Sequence, residues 1–334
     1  GYGTLGTQNF TTATDTYNTG VGYNAGVAIT TGLKNTLIGG IAGDAIDTGD
    51  ENVTVGYNSL TTNTKSFYNV AVGNSALAAH NLTSDAAGYN TGIGHNAGAA
   101  ITTGTAQVLI GALAGDALTD ADYNIAIGVA ALSADTLGSK SVAIGHAALT
   151  AQNFTSATDN YNVAVGYSAG TAVTTGEQNT LIGGLAGDAL TDADSNVAMG
   201  HSSLSTDTLG SRSVAIGASA LEAQNFTSAT NTYNVAVGTL AGAAVTTGRQ
   251  NTLIGGLAGD ALTDADFNVA VGKSALSADT LGNRSIAIGH SALATQNFTS
   301  ATDVYNTAVG HGAGNQVTTG LYNTLIGGLA GDAL

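Results

Sequence analysis

Ser141–Val142–Ala143–Ile144–Gly145–His146–Ala147–Ala148 is the stretch whose reading decides the fold. Val142 and Ile144 are β-branched and stand two residues apart, and a glycine closes the run. Alternation of period two is the signature of a short strand. The same frame, in its commonest form Asn–Val–Ala–Val–Gly, closes 18 times between Gly22 and Gly327. Successive closing glycines are 17, 17, 17 and 21 residues apart, and the order then repeats, so the larger period is 72 residues. Asn153–Phe154–Thr155, Asn225–Phe226–Thr227 and Asn297–Phe298–Thr299 show that offset directly.

The columns of the repeat carry the physics. The residue before the glycine is aliphatic in all 18 copies, and the residue three before it is Val, Ile or Thr. Between them stands Ala in most copies, or Leu, Gly or Thr. Both strand faces are thus apolar, which predicts that both are buried, the Ala-rich one under a neighbouring chain. Four residues before the glycine, Asn occupies 14 of 18 copies. Such a column suits either a stacked amide ladder or a simple turn residue tolerant of left-handed backbone. The third residue after the glycine is Ala or Ser, and the fourth runs Gly, Gly, Leu, Leu in strict order. Helical solenoids use repeats of about 33 to 47 residues, so a 17-residue period with β-branched columns predicts one solenoid coil per repeat.

The predicted fold is all-β: a parallel β-solenoid, or β-roll, of 17-17-17-21-residue coils. Residues 1–334 form one continuous repeat region, with superrepeats over 22–93, 94–165, 166–237, 238–309 and, in part, 310–334. The frame extends back to Gly1 and is cut at Leu334, so a segment of a longer fibre is expected.

Composition narrows the function. The 334 residues include 48 Gly, no Pro, no Cys and no Trp, and 9% are charged. A net charge of −16 with seven basic residues leaves no electrostatic footprint for nucleic acid and opposes binding to anionic lipid. Without Cys there are no disulfides or thiolate metal sites. No apolar run approaches the roughly 18 residues of a membrane helix, so no membrane insertion is expected.

Three sets of side chains are candidate sites. Asp116, Asp120 and Asp122 recur as Asp188, Asp192 and Asp194 and as Asp260, Asp264 and Asp266. Clustered carboxylates on a turn suit a hard cation, calcium being the one cofactor the sequence suggests; the plainer role is to solvate the turn and cap backbone amides. Five of six histidines, His95, His146, His201, His290 and His311, directly follow a coil glycine, a position varied enough to suit a surface. The 21-residue coils carry Phe154 with Tyr161, Phe226 with Tyr233 and Phe298 with Tyr305. Aromatic residues are favoured at binding surfaces, so these loops are candidate surface contacts; alternatively the Phe pins the loop onto its coil. No catalytic constellation stands out, because a catalytic site singles out one copy of a repeat. The chain is not expected to be an enzyme.

Ser141–Val142–Ala143–Ile144–Gly145 and Ser213–Val214–Ala215–Ile216–Gly217 resemble the head repeats of trimeric autotransporter adhesins. The same repeat style occurs in bacteriophage tail fibres, and Asn18–Thr19–Gly20–Val21–Gly22–Tyr23–Asn24–Ala25–Gly26 resembles those of marine phages. The adhesin repeat is typically shorter than this one. The resemblance implies a left-handed parallel β-roll, three chains wound side by side, and an extracellular location on a virion or bacterial surface. It implies a structural shaft that presents a host-attachment tip. Two alternatives are a shaft that itself binds a host receptor or glycan at many points, and a monomeric solenoid that polymerises into a filament.

Overall fold

A computed structural model describes all 334 residues. It contains strands and turns and no helix. Two compact units are present, Gly1–Val163 and Ala164–Leu334, built from the same coil. Each coil contributes one three-residue strand that ends just before its glycine. In the first unit Val70–Val72 pairs in parallel with Thr91–Ile93, Val70 opposite Thr91 and Ala71 opposite Gly92. In the second, Val214–Ile216 pairs in the same register with Val235–Val237. The four extra residues of a 21-residue coil are therefore accommodated without slipping the sheet. The longer coil also makes a short parallel pair with the 17-residue coil before it, Thr158–Asp159 with Gly138–Ser139 and Thr230–Asn231 with Gly210–Ser211. The architecture is a parallel β-solenoid.

The closing glycine is dictated by backbone approach. Gly183, Gly200 and Gly217 have φ of 135°, 137° and 131°, a region open essentially to glycine alone. A Cβ on Gly183 would stand 2.6 Å from the carbonyl oxygen of Gly200. Coils stack so closely at this column that no side chain fits.

The strand faces differ from the sequence expectation. The residue between the two β-branched ones is the interior one: Ala143, Ala198, Ala215 and Leu253 are fully buried. The β-branched pair points outward and is only half-buried. The Ala-rich face is thus the inside of the coil, and the uncovered face is the Val/Ile/Thr one. A 17-residue coil has a narrow interior, and Ala in the strand with Ala or Ser after the turn, as at Ala148 and Ser203, already fills much of it.

The same narrowness explains the Gly, Gly, Leu, Leu order. A Cβ on Gly43 would meet Leu37 Cδ2 at 2.9 Å and Ile46 Cδ1 at 2.8 Å, and one on Gly26 would also meet Leu37. The two glycine-bearing coils make room for one large strand residue, and leucine supplies the volume where the strand residue is Ala. Leu132, Leu204 and Leu276 are buried at left-handed φ of 52° to 55°, a strained conformation for a leucine offset by its burial.

A polar spine runs beside this apolar interior. Asn196 Nδ2 donates to the carbonyl of Gly210 at 2.9 Å, and Asn196 Oδ1 accepts the backbone N–H of Ser213 at 2.8 Å. Asn251 and Asn268 repeat the pattern, and these side chains are fully buried. The Asn column is therefore a buried ladder of side-chain-to-backbone bonds, satisfying groups that would be costly to leave unpaired. Where the column holds Ser, a glutamine seven residues past the following closing glycine substitutes: Gln152 Nε2 donates to Ser141 Oγ at 2.9 Å and to Asp135 Oδ2 at 2.6 Å, while its Oε1 accepts from Asn162 at 2.9 Å. Asp207–Gln224 and Asp279–Gln296 make the same buried pair.

Thr54 is an exception with a measurable consequence. It occupies the interior strand position, and its Oγ1 is buried with no partner. Thr54→Val keeps the shape and removes the unpaired hydroxyl, so it should stabilise the fold by about 1–2 kcal/mol. Chemical denaturation of the two proteins, compared at the transition midpoint, checks this.

Candidate interaction surface

The outward strand face forms two columns within each unit, one aliphatic and one of Val, Ile or Thr. Val142 and Ile144 in the first unit, and Ile286 and Ile288 in the second, are representative. Ile254 and Ile288 each keep 38% of their surface exposed. No residue of the chain covers this face. Parallel sheets normally have both faces covered, and runs of exposed apolar surface mark association sites.

Two further columns flank these two. On one side stand residues with left-handed φ, among them Lys140, Tyr161, Arg212, Tyr233, Phe267, Arg284 and Tyr305. Their spacing of one coil places neighbours directly above one another. Lys140 Nζ lies 5.3 Å from the centre of the Tyr161 ring, Arg212 lies 6.0 Å from that of Tyr233, and Arg284 lies between Phe267 and Tyr305 at 4.7 and 5.8 Å. Tyr305 stacks on Tyr322 at 5.7 Å. Lys140 and Arg284 are also paired with Asp159 and Asp303 at 2.5 and 3.0 Å. On the other flank are the positions that follow the glycine, where His290 and His311 stack at 5.1 Å.

The structure separates the members of each aromatic pair. Phe154, Phe226 and Phe298 are 5%, 6% and 8% exposed. They are core residues that hold the inserted loop onto the coil and are not available as surface contacts. Phe154 N also donates to the buried Asp135 Oδ1 at 3.0 Å. Tyr161, Tyr233 and Tyr305 are about half exposed, at 51%, 50% and 47%. Each has a ring face occupied by the cation of the preceding coil, so the column is not a row of open aromatic platforms.

The acidic turns act as links between coils. Asp120, Asp192 and Asp264 accept from Thr103, Thr175 and Thr247 at 2.5, 2.7 and 2.6 Å. Asp122, Asp194 and Asp266 accept the backbone N–H of Thr105, Glu177 and Arg249 at 2.7, 2.8 and 2.7 Å. These carboxylates do not converge with one another, and no three His or acidic side chains are grouped to hold a metal ion. Asp116, Asp188 and Asp260 stand apart: each has a buried Oδ1 with no hydrogen bond, and burial pushes each carboxyl above the usual Asp range. The corresponding Asp44 Oδ1 accepts from Thr61; Ser133, Ser205 and Ser277 occupy that threonine's place.

No cavity opens in the chain. No helix is long and apolar enough to cross a membrane. No family model, curated protein or solved structure matches the chain.

Proposed function

We propose that this chain is the structural shaft of an extracellular fibre, a phage tail fibre or cell-surface adhesin, in which copies associate in parallel as a homotrimer. The observation that carries the reading is the uncovered double column of Val, Ile and Thr on the outer strand face. A second copy of the chain repeats with the same coil spacing, so its own columns match this face coil by coil. The order of glycine- and leucine-bearing coils makes the 72-residue unit the natural module. The shaft acts by spacing and presenting a distal attachment tip, and it needs no catalytic group.

The sedimenting mass tests this reading. The wild-type chain is expected to sediment as a trimer. Ile286→Lys with Ile288→Lys places two charges on the outer face without touching the coil interior. This variant should weaken association by several kcal/mol, since charges left unpaired in an apolar interface are costly, while its circular dichroism stays that of the wild type. A wild-type monomer at micromolar concentration would sink the proposal. A receptor- or glycan-binding shaft is the second reading, resting on the half-exposed Tyr161, Tyr233 and Tyr305; glycan binding lost in the triple Tyr→Ala variant would support it.

A further inference from the structure

We propose that His290 and His311 form a surface chelate for a divalent transition-metal ion of the zinc, nickel or copper class. The two residues follow the closing glycines of consecutive coils. Their strands are in register, Ile286 opposite Thr307 and Ile288 opposite Val309. The backbone around both is fixed: the carbonyl of His290 accepts from Gly312 N at 2.9 Å, and that of His311 from Leu329 N at 2.8 Å. Both side chains are exposed. Their rings lie 5.1 Å apart and within 8° of parallel.

Imidazole is the nitrogen ligand that suits Zn2+, Ni2+ and Cu2+. Bonds of about 2.0–2.1 Å to one zinc ion require the two ring nitrogens to approach more closely than the ring centres now stand. A tilt of the exposed rings toward each other achieves that, and the strands supply the fixed spacing that makes the pair a chelate. The remaining coordination positions are left to water or to an incoming ligand. The next position in the same column is Gly328, which leaves that side of the pair open, while Lys273 occupies the position one coil earlier.

The chain carries its own controls. His95, His146 and His201 occupy the same column, but no histidine precedes or follows them in it: their neighbours are Asn74 and Ala112, Val129 and Tyr167, and Gly184 and Ala218. A pair and three single imidazoles are thus presented on one scaffold.

Zn2+ titrated calorimetrically into the full chain at neutral pH tests it. The expected result is one saturable site per chain. His290→Asn and His311→Asn should each weaken binding by about tenfold or more, since a single imidazole then remains. Replacing His95, His146 and His201 together by Asn should leave the affinity unchanged. Both substituted positions are exposed, so circular dichroism should show the fold intact. Absence of saturable binding by the wild type, or unchanged binding by the His290→Asn, His311→Asn double variant, overturns the proposal.

Discussion

Gly200→Ala should be among the most damaging single substitutions in the chain, with an expected loss of roughly 3–4 kcal/mol. Two effects add. The backbone at Gly200 has φ of 137°, which an L-residue adopts only at a cost. The new Cβ would stand 2.5 Å from the carbonyl oxygen of Gly217 and 2.6 Å from its carbon. Neither of those atoms is the end of a flexible side chain, so the coils themselves must move apart. That would stretch the parallel pairing of Val197–Met199 with Val214–Ile216. Gly184→Ala is the matched control. A Cβ there would find only His201 Cδ2, at 3.7 Å, and the change should fall within about 0.5 kcal/mol of wild type. Equilibrium urea unfolding of the two variants reads the difference. Equal midpoints would mean that close stacking at the glycine column does not limit stability.

Acid should weaken the coils around His80 selectively. His80 is fully buried, and burial pulls its imidazole from the usual 6.5 down to about 4. Its hydrogen bonds explain why a second proton is unwelcome. Asn90 Nδ2 faces His80 Nδ1 at 3.4 Å, and Ser66 Oγ lies 3.0 Å from Nε2. With Nδ1 accepting from the Asn90 amide, Nε2 carries the proton and donates to Ser66. The Asn90 amide is held in that orientation, because its Oδ1 accepts from Gln107 N at 3.0 Å and its Nδ2 donates to Gly104 O at 2.9 Å. A protonated Nδ1 would therefore confront a donor.

The folded-state value lies below the unfolded one, so the unfolded chain binds the proton more readily. Stability from this group is complete above about pH 6.5 and is lost as pH falls toward 4, by roughly 3 kcal/mol in all. Asp116, Asp188 and Asp260 work in the opposite sense, since their raised values favour the folded state as carboxyls protonate. The measurement is a comparison of two proteins that both keep those carboxyls, the variant adding one more at position 63. Replacing Asn63, Ser66, Asn69, His80 and Gly88 by Asp, Gly, Ser, Gln and Asn reproduces the set found at Asp135, Gly138, Ser141, Gln152 and Asn160. Hydrogen-exchange protection factors of residues 63–93, taken against the intrinsic rates at each pH, should fall between pH 7 and 4.5 in the wild type more than in this variant. Identical acid responses would refute the role given to His80.

Those five positions also show what could be read from the chain before its structure. The first four change together between copies of the repeat, though they lie up to 17 residues apart in sequence, while the fifth varies from copy to copy (Gly88, Asn160, Thr232, Val304). Their shared cause is a contact between coils: Gln152 reaches across to Asp135 and fills the place left where Ser141 interrupts the Asn column. His80 differs from the five exposed histidines in standing seven residues after its closing glycine, in a column that elsewhere holds Ile, Leu, Val, Asn, Gln or Asp, but that position alone does not show that the ring is buried.

The periodicity alone was enough to identify the strands, their parallel stacking and the coil length. A 17-residue frame with one invariant glycine leaves few ways to place each strand, and a shift of one residue would exchange its two faces. The sequence did not determine which face turned inward, because both are apolar. Tertiary volume decided it: the interior of a coil admits Ala143 or, between glycines, Leu37, but not the paired β-branched residues. The fate of the aromatic loops was likewise a matter of depth. Phe154 and Tyr161 are both aromatic and seven residues apart, yet the loop closes over the first and leaves the second beside Lys140 on the surface.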